Sequence, residues 1–279
     1  MATIILFIFT PLIKIRKRMN TRTFISSAVF VLTTCSSTQS VNTTNSIAPV
    51  YALEIPQLKA DDVLIEHTGF ALVYDEAHEQ AKWVAYELTL EETLAGAERS
   101  NKFIPDPKIS TGTATDRDYK GSGYDRGHLA PAADMSWSDQ AMKESFYFSN
   151  ISPQVPSFNR GIWKQLEMQV RKWARLDSAV HVVTGPILTE GLPAIGLNNV
   201  TVPAYFYKAL LVYRNYQQKA IAFIIPNEKS ALPIGRFAVT VDSLEQLTGL
   251  NFFPALPADI ENKLESSVCL TCWNLEKHR

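Results

Sequence analysis

Apolar and polar residues recur at two different periods along the chain, which separates predicted strands from predicted helices. Segments rich in β-branched and aromatic residues predict strands: HTGFALVYDEA, KWVAYELT, AVHVVTGPIL, TVPAYFYKALLVYRN and KAIAFIIPN. Helical spacing is clearest in FNRGIWKQLEMQVRKWARL, and DQAMKESFYFSN and VDSLEQLTGL are shorter predicted helices. Strands occur both before and after the helices without regular βαβ alternation. This order favours an α+β fold with a central antiparallel sheet and flanking helices.

The same pattern suggests how the chain is divided. Dense apolar patterning predicts one domain over residues 61–257. Residues 36–60 are rich in Ser, Thr and Asn and contain two prolines, a composition typical of a flexible linker. Residues 258–279 are assigned to a C-terminal tail that carries the sequence CLTC.

The N-terminal residues differ in composition from the rest of the chain. The first 53 residues contain no Asp or Glu, and two apolar runs there flank a basic cluster. We interpret residues 1–35 as a signal peptide, with Met19 as an alternative start and Cys35 as a candidate lipoprotein cysteine. Export to the periplasm or the medium is the favoured interpretation. Lipid anchoring through Cys35 and import into an organelle, mitochondrial in a eukaryote, are the alternatives.

Charge and cysteine content limit the classes of partner. Without residues 1–35 the chain has 22 basic and 28 acidic side chains, a net charge of −6. A polyanionic partner must therefore be held by a local basic patch.

Cys269 and Cys272 are expected to form a local disulfide in an oxidising compartment, with a zinc ligand pair and a redox-active CxxC as alternatives.

The clearest helix has two different flanks. At about 100° per residue from Trp163, an apolar stripe contains Leu166, Val170 and Trp173. The adjoining flank is basic and contains Arg160, Lys164, Arg171 and Arg175. This flank is either a track for a phosphate backbone or an ordinary solvated helix face.

Two polar residues of this helix are candidates for chemistry. Asn159 is placed at about 320°, towards the apolar side, where it is either an N-cap or a metal ligand. Glu167 lies about 12 Å further along the axis, between the two flanks. This separation is too long for both side chains to bind one ion directly. Glu167 is therefore expected to act through bound water or from the other side of the site.

The stretch GSGYDRGHLAP places an acid, a guanidinium and an imidazole close together. His128 alone is typical of a hydrogen-bonded structural histidine. The chain also has a helix that carries an amide, a carboxylate and several cations, and this combination favours a catalytic role for His128. A hard cation, an imidazole base and guanidinium groups are what phosphodiester hydrolysis requires.

The two motifs YKGSGYDRGHLAPAADM and FYFSNISPQVPSFNRGIWKQLE resemble those of the DNA/RNA non-specific endonucleases. The similarity extends over residues 64–256 and includes VVTGPI, AIAFIIPN and LEQLTGLNFFP. The resemblance implies a ββα-metal nuclease fold. It also implies a metal-dependent endonuclease that cuts DNA and RNA without sequence preference and leaves 5′-phosphate ends.

The resemblance assigns a role to each matching residue. His128 is expected to be the general base, and Asn159 the sole direct protein ligand of a Mg²⁺ ion for which Mn²⁺ can substitute. Glu167 is expected to orient the water shell of the metal, Arg126 to steady the phosphate, and Arg99 to match a second family arginine. Asp125 is expected to be a buried structural partner.

Other functions stay open at this point. A catalytically inactive relative that binds nucleic acid would be expected to lack the histidine or the asparagine, and His128 and Asn159 are both present. A phosphodiesterase for a specialised substrate would carry the same motifs. Members of the family are often dimers, which leaves both a monomer and a homodimer open.

Overall fold

A seven-stranded antiparallel sheet forms the centre of the molecule. The computed structural model describes residues 52–94, 96–214 and 217–275. The sheet order is β1-β2-β3-β6-β9-β10-β11, and each neighbouring pair is antiparallel. Its strands are β1 (Leu64–Glu66), β2 (Ala71–Asp75), β3 (Gln80–Thr89), β6 (Ala179–Pro186), β9 (Tyr205–Arg214), β10 (Gln217–Pro226) and β11 (Ala238–Val239). Two small two-stranded sheets pair β4 (Asp125–His128) with β5 (Ile151–Gln154), and β7 (Ala194–Ile195) with β8 (Val200–Thr201).

Helices cover both faces of this sheet. They are α1 (Asp116–Tyr119), α2 (Asp139–Glu144), α3 (Pro156–Phe158), α4 (Lys164–Asp177), α5 (Val241–Thr248) and α6 (Ala258–Glu265). A π-helical turn, Asn159–Trp163, joins α3 to α4. Short 3₁₀ turns span Glu92–Leu94, Phe148–Asn150 and Ile234–Phe237. The α+β architecture predicted from the pattern is confirmed.

Alternating residues of the central strands form two separate cores. Val182 of β6 and Leu210 of β9 pack on the face that α4 covers. Val183 and Leu211, their immediate neighbours in the chain, pack on the opposite face with Leu244 of α5. Successive side chains of a strand point to opposite faces, so a strand buried on both faces is apolar along its whole length. All eight residues of β6 are buried, as expected for a strand covered on both faces.

The helix α4 packs on the sheet through the predicted apolar stripe. Leu166, Val170 and Trp173 are all buried in the core on that face. The stripe therefore holds α4 against the sheet and leaves its adjoining flank directed away from the core.

Both ends of the described region are more closely packed than the sequence pattern predicts. Ile55, in the segment predicted to be a linker, is buried in the second core. Residues 258–279 were predicted to be a tail, but they contain α6, which packs on β10. Trp273 is buried, and its carbonyl oxygen accepts a 2.9 Å hydrogen bond from Nε1 of Trp173. Both corrections have the same cause, since short apolar clusters without a helical or strand period pack against residues that are distant in sequence.

The structure joins Cys269 and Cys272 in a disulfide. Within the described ranges, no helix is long and apolar enough to cross a bilayer. The predicted signal peptide, Met19 and Cys35 lie outside those ranges.

Candidate active site

A pocket of about 480 Å³ lies between the strand β4 and the helical run from α3 to α4. Its charged and polar lining comes from three separate parts of the chain: Arg99, Arg126, His128, Asn159, Arg160, Lys164, Glu167 and Arg171. The strand β4 pairs with β5, so His128 lies opposite Ile151. The helical run begins a few residues after Ile151. Two antiparallel strands followed by a helix thus bring the histidine and asparagine motifs to one site.

His128 sits between two aromatic rings. Its ring centroid is 4.7 Å from that of Phe146 and 5.6 Å from that of Phe103. The Nε2 atom is buried and has no hydrogen-bond partner among the described residues. Burial, followed by the positive charges of Arg99 and Arg126, lowers the pKa of His128 to about 3. The imidazole is therefore neutral at neutral pH, and its Nε2 lacks, among the described residues, the hydrogen bond that a structural histidine would make.

The carboxylate of Asp125 fixes the amide of Asn159. Asn159 Nδ2 donates a 2.9 Å hydrogen bond to Asp125 Oδ2. Arg160 holds the same carboxylate from the other side, through Nε at 2.8 Å and Nη2 at 2.6 Å. Burial alone would raise the pKa of Asp125, but these hydrogen bonds lower it below its ordinary value. Asp125 is half-buried and ionised, and it leaves Oδ1 of Asn159 without a hydrogen bond from any described side chain.

The N-cap interpretation of Asn159 is wrong. Asn159 lies inside a continuous helical run that begins at Pro156, has αR backbone angles, and donates its backbone N–H to Val155 O. The expected direction of its side chain, towards the apolar flank, is also wrong. The wide turn Asn159–Trp163 changes the phase of the helix before α4, so Asn159 lines the pocket on the same side as Glu167.

Glu167 is half-buried at the back of the pocket. Burial raises the pKa of Glu167 above its ordinary value, and Asp134 acts in the same direction, while the cations Lys208, Arg171 and Arg99 oppose it. Asp134 is itself buried and accepts hydrogen bonds from Arg171 Nη1 at 2.5 Å and from the Tyr86 hydroxyl at 2.8 Å. Asp134 therefore positions Arg171 next to Glu167.

Two arginines close the other side of the pocket. Arg126 Nη1 donates a hydrogen bond to Asp116 Oδ1, and its guanidinium carbon lies 4.3 Å from the centroid of the Phe103 ring. Arg99 lies over Phe146, with its guanidinium carbon 5.1 Å from the ring centroid. The aromatic rings that flank His128 thus also hold the two cations beside it.

The predicted basic flank divides into two parts. Arg160, Lys164 and Arg171 line the pocket. Arg175 does not, because its Nε and Nη2 donate 3.0 Å hydrogen bonds to Oγ1 and O of Thr93. The structure therefore assigns Arg175 to the attachment of α4 to the segment after β3 and not to the pocket.

Comparison with known proteins identifies the group to which this site belongs. Residues 50–259 match the family model described as DNA/RNA non-specific endonuclease. The chain belongs to the DNA/RNA non-specific endonuclease family. The ββα-metal nuclease fold is thus shared with a solved endonuclease of this group, the EndoG of an EndoG/EndoGI complex. That structure matches with a TM-score of 0.68 and 33% identity, over 74% of this chain and 90% of the other.

Two curated relatives within the family are mitochondrial nucleases. The mitochondrial nuclease EXOG of Danio rerio is 40% identical over 211 residues, which are 68% of this chain and 60% of the relative. Human mitochondrial endonuclease G is 37% identical over 205 residues, 68% of this chain and 69% of the relative. The chain thus spans about 60% of the length of the EXOG protein that it matches. The mitochondrial location of both relatives agrees only with the alternative to export.

Membership of the endonuclease family implies a divalent metal ion, and the residues at the pocket fit one. An amide oxygen that accepts no hydrogen bond from the described side chains, in an amide held in place by an ionised carboxylate, is a suitable ligand for a hard cation. The nearby Glu167 can accept hydrogen bonds from water molecules on such an ion. Asn159 is thus the residue that would hold the metal, and Asp125 the residue that positions it.

Three residues close to the pocket, Lys208, Asp134 and Phe146, were not predicted from the sequence. Lys208 is fully buried in β9, with Nζ 3.1 Å from Thr184 Oγ1 and 4.6 Å from the centroid of the Trp163 ring. A lysine at an inward position of the strand YFYKALLVY is the one signal that could have indicated Lys208, since a buried charge needs a nearby countercharge.

Position 127, between Arg126 and His128, requires a glycine for a structural reason. A Cβ atom at this position would lie 2.2 Å from the side chain of Gln154, which is fully buried on the paired strand β5. We therefore expect Gly127→Ala to destabilise the protein by about 1–3 kcal/mol through overpacking. Urea unfolding measures this loss. Gly96→Ala is the control, because Gly96 is exposed and no described atom lies within 4 Å of a Cβ there.

Proposed function

We propose that the protein is a metal-dependent endonuclease that hydrolyses phosphodiester bonds of DNA and RNA and leaves 5′-phosphate ends. One observation carries the proposal: a neutral imidazole with a buried, unpartnered Nε2 shares a pocket with an amide oxygen that Asp125 holds in place. A base for water and a ligand for a hard cation are thus positioned together.

The side chains divide the reaction between them. His128 accepts the proton from the attacking water, which its depressed pKa permits at neutral pH. Arg126, Arg99 and Arg171 line the pocket as positive charges that neutralise the phosphate and the charge that develops on it. Phe103 and Phe146 pack against the imidazole and shield it from solvent on two sides.

A Mg²⁺ ion, or Mn²⁺ in its place, would be held by Asn159 Oδ1, and Glu167 would orient its bound water. When bound, the ion supplies positive charge that stabilises the phosphoryl oxygens and the departing 3′ oxygen. Asp125 keeps the Asn159 amide oriented throughout, because its own carboxylate is fixed by Arg160.

Recognition of phosphate groups in place of base edges explains an absence of sequence preference. The proposed substrate contacts of Arg160, Lys164 and Arg171 are cationic and suit any phosphate backbone. Nothing in these groups distinguishes ribose from deoxyribose.

Incubation of the purified protein with plasmid DNA and with RNA, each with Mg²⁺ or with a chelator, tests the proposal. We expect both nucleic acids to be cut in Mg²⁺ and neither in the chelator, with 5′-phosphates on the products. Binding without cutting in all conditions would indicate an inactive relative. Cutting of only small phosphodiesters would indicate a specialised substrate.

Lys164 and Lys172 provide a matched pair for the phosphate track. Both are exposed lysines of α4, but only Lys164 lines the pocket. We expect Lys164→Ala to reduce the slope of log Kd against log salt concentration by about 1, and Lys172→Ala to leave it unchanged. Fluorescence anisotropy with a labelled oligonucleotide in chelator measures the slope. Equal slopes for the two variants would assign Lys164 to a solvated helix face.

The titration of His128 can be measured directly. Burial and two nearby arginines lower its pKa, so the imidazole should remain neutral well below the ordinary histidine value of about 6.5. Protonation removes the base, so activity that depends on His128 should be lost as the pH falls through its pKa, not as the pH rises. NMR of the imidazole carbon-bound protons, without metal or nucleic acid, reports the pKa. A midpoint near the ordinary value would contradict the prediction.

The location of the protein in the cell depends on residues 1–35, which the sequence pattern predicts to be a signal for export. The mitochondrial relatives support organelle import as the alternative. Determination of the mature N-terminus from the native host distinguishes secretion, lipidation at Cys35 and import.

A further inference from the structure

Three carboxylates meet between α5 and α6. Asp242 and Glu245 are one turn apart on α5, and Glu265 is the last residue of α6. Each residue offers an oxygen, and these oxygens all lie within 4.8 Å of one another. Val241 and Leu244 of α5 pack in the core on the face opposite α4. The cluster is thus separated from the pocket by the large sheet.

Glu265 cannot be explained as a surface carboxylate. Its exposed fraction is 4%, and its Oε1 is buried without a hydrogen-bond donor from the described residues. A buried ionised carboxylate without a partner is strongly unfavourable, so native proteins pair such groups or bind a cation with them.

The surroundings of Glu265 make the deficit of positive charge larger. The charged groups that act on it are Glu245, Glu261 and Asp242, and all are acidic. Burial and these charges raise the pKa of Glu265 to about 9. A cation bound between the three carboxylates would supply the positive charge that these surroundings lack.

We propose that Asp242, Glu245 and Glu265 form a binding site for a structural divalent cation, and that this cation is Ca²⁺. All three ligands are carboxylate oxygens, which favour a hard cation. Ca²⁺ is commonly bound by several protein carboxylates, whereas Mg²⁺ usually binds only one or two and keeps several water molecules. The three carboxylate oxygens lie within 4.8 Å of one another, so one ion between them could contact all three.

The site would join the two helices across the segment that connects them. Glu245 Oε1 already accepts a 2.8 Å hydrogen bond from the backbone N–H of Phe252 within that segment. Phe252 is fully buried in the core below α5. Binding of Ca²⁺ therefore ties α5, the connection and α6 into one unit and stabilises the folded chain.

Calcium binding to full-length Asn159→Ala protein, measured by isothermal titration calorimetry, tests the site without a contribution from the pocket. We expect one bound Ca²⁺ per chain and a melting temperature higher in Ca²⁺ than in chelator. Adding Glu265→Gln should weaken binding at least about tenfold and remove the Ca²⁺-dependent rise in melting temperature. Adding Asp259→Asn should change neither, because this exposed α6 carboxylate lies outside the cluster.

Several outcomes would overturn the proposal. Asn159→Ala protein that binds no Ca²⁺ at millimolar concentration and melts equally in Ca²⁺ and chelator would show that a proton neutralises Glu265. Equal Ca²⁺ affinity with and without Glu265→Gln would place the ion elsewhere. If the Glu265 variant does not fold, Asp242→Asn is used, since Asp242 is half-buried and accepts no hydrogen bond from the described residues.

Discussion

Replacement of His128 by Ala should lower kcat for plasmid cleavage about 10²–10⁴-fold, the range for loss of a general base. The reason is geometric as well as chemical. The buried Nε2 of His128 has no partner among the described residues, and its neutral form is maintained by burial and by Arg99 and Arg126. Removal of the ring leaves no other imidazole in the lining of the pocket. Initial rates of plasmid relaxation in saturating Mg²⁺ measure the loss.

His78 is the matched control for this experiment. It lies in the turn between β2 and β3, where its Nδ1 is 2.9 Å from Thr201 Oγ1, and it does not line the pocket. We expect His78→Ala to cut DNA at about the parent rate. His128→Gln keeps a polar side chain between Phe103 and Phe146, so it separates loss of the base from loss of packing. A His128→Ala protein that degrades plasmid as fast as the parent would refute the mechanism.

Replacement of Asn159 by Ala should raise the Mg²⁺ concentration required for half-maximal activity by at least about 10–100-fold and lower the maximal rate. Asp125 accepts a hydrogen bond from Nδ2 of Asn159, so Oδ1 of the same amide points away from Asp125. Alanine has no oxygen at this position. Asp125→Ala should have the same direction of effect, since it releases the Asn159 amide without removing the ligand atom. Cleavage rates across a Mg²⁺ titration measure both.

An unchanged Mg²⁺ requirement in Asn159→Ala protein would show that the asparagine has only a structural role. Asn262→Ala is the control, because Asn262 is exposed on α6 and its Nδ2 bonds only to Ala258 O among the described atoms. Its Mg²⁺ titration should match that of the parent. Circular dichroism of the Asn159, Asp125 and Asn262 variants checks that their helix content matches that of the parent.

The order of the elements could be predicted from the sequence because periodicity reports burial. The residues Leu166, Val170 and Trp173 recur at helical spacing and are all buried on the sheet. The strands were also predictable, since their β-branched runs are long and bounded by polar turns. Packing between distant segments was not predictable in this way. Ile55 and Trp273 lie in short apolar clusters, with Leu53 and Leu58 or with Leu270 and Leu275, that are too short to show a helical or strand period.

The candidate site was predictable only in part. Motif spacing indicated that His128 and Asn159 belong together, and the structure brings both to one pocket. The direction of Asn159 was not predictable from an ideal helix, because one wide turn changes the phase between it and α4. Gly161, whose backbone angles in that turn are not helical, is the visible residue at this irregularity.

Side chains that bond to distant residues were equally hidden. Arg175 has the same helical phase as the pocket-lining cations, yet Thr93 holds it through two hydrogen bonds. Lys208 is buried in a strand whose other residues are nearly all apolar. In both cases the partner is far away in the sequence, so a helical or strand period contains no information about it.

The contact between Trp173 and Trp273 has a consequence for the synthesis of the protein. The two rings lie 4.8 Å apart, and the residues are separated by 100 positions. While residue 273 is still within the ribosome, the inner face of α4 lacks this cover, although all the residues that line the pocket have already emerged. A nascent chain therefore completes the packing behind its pocket only after Trp273 has left the ribosome. The order of translation thus delays full assembly of the site until 100 residues beyond Trp173 have been added.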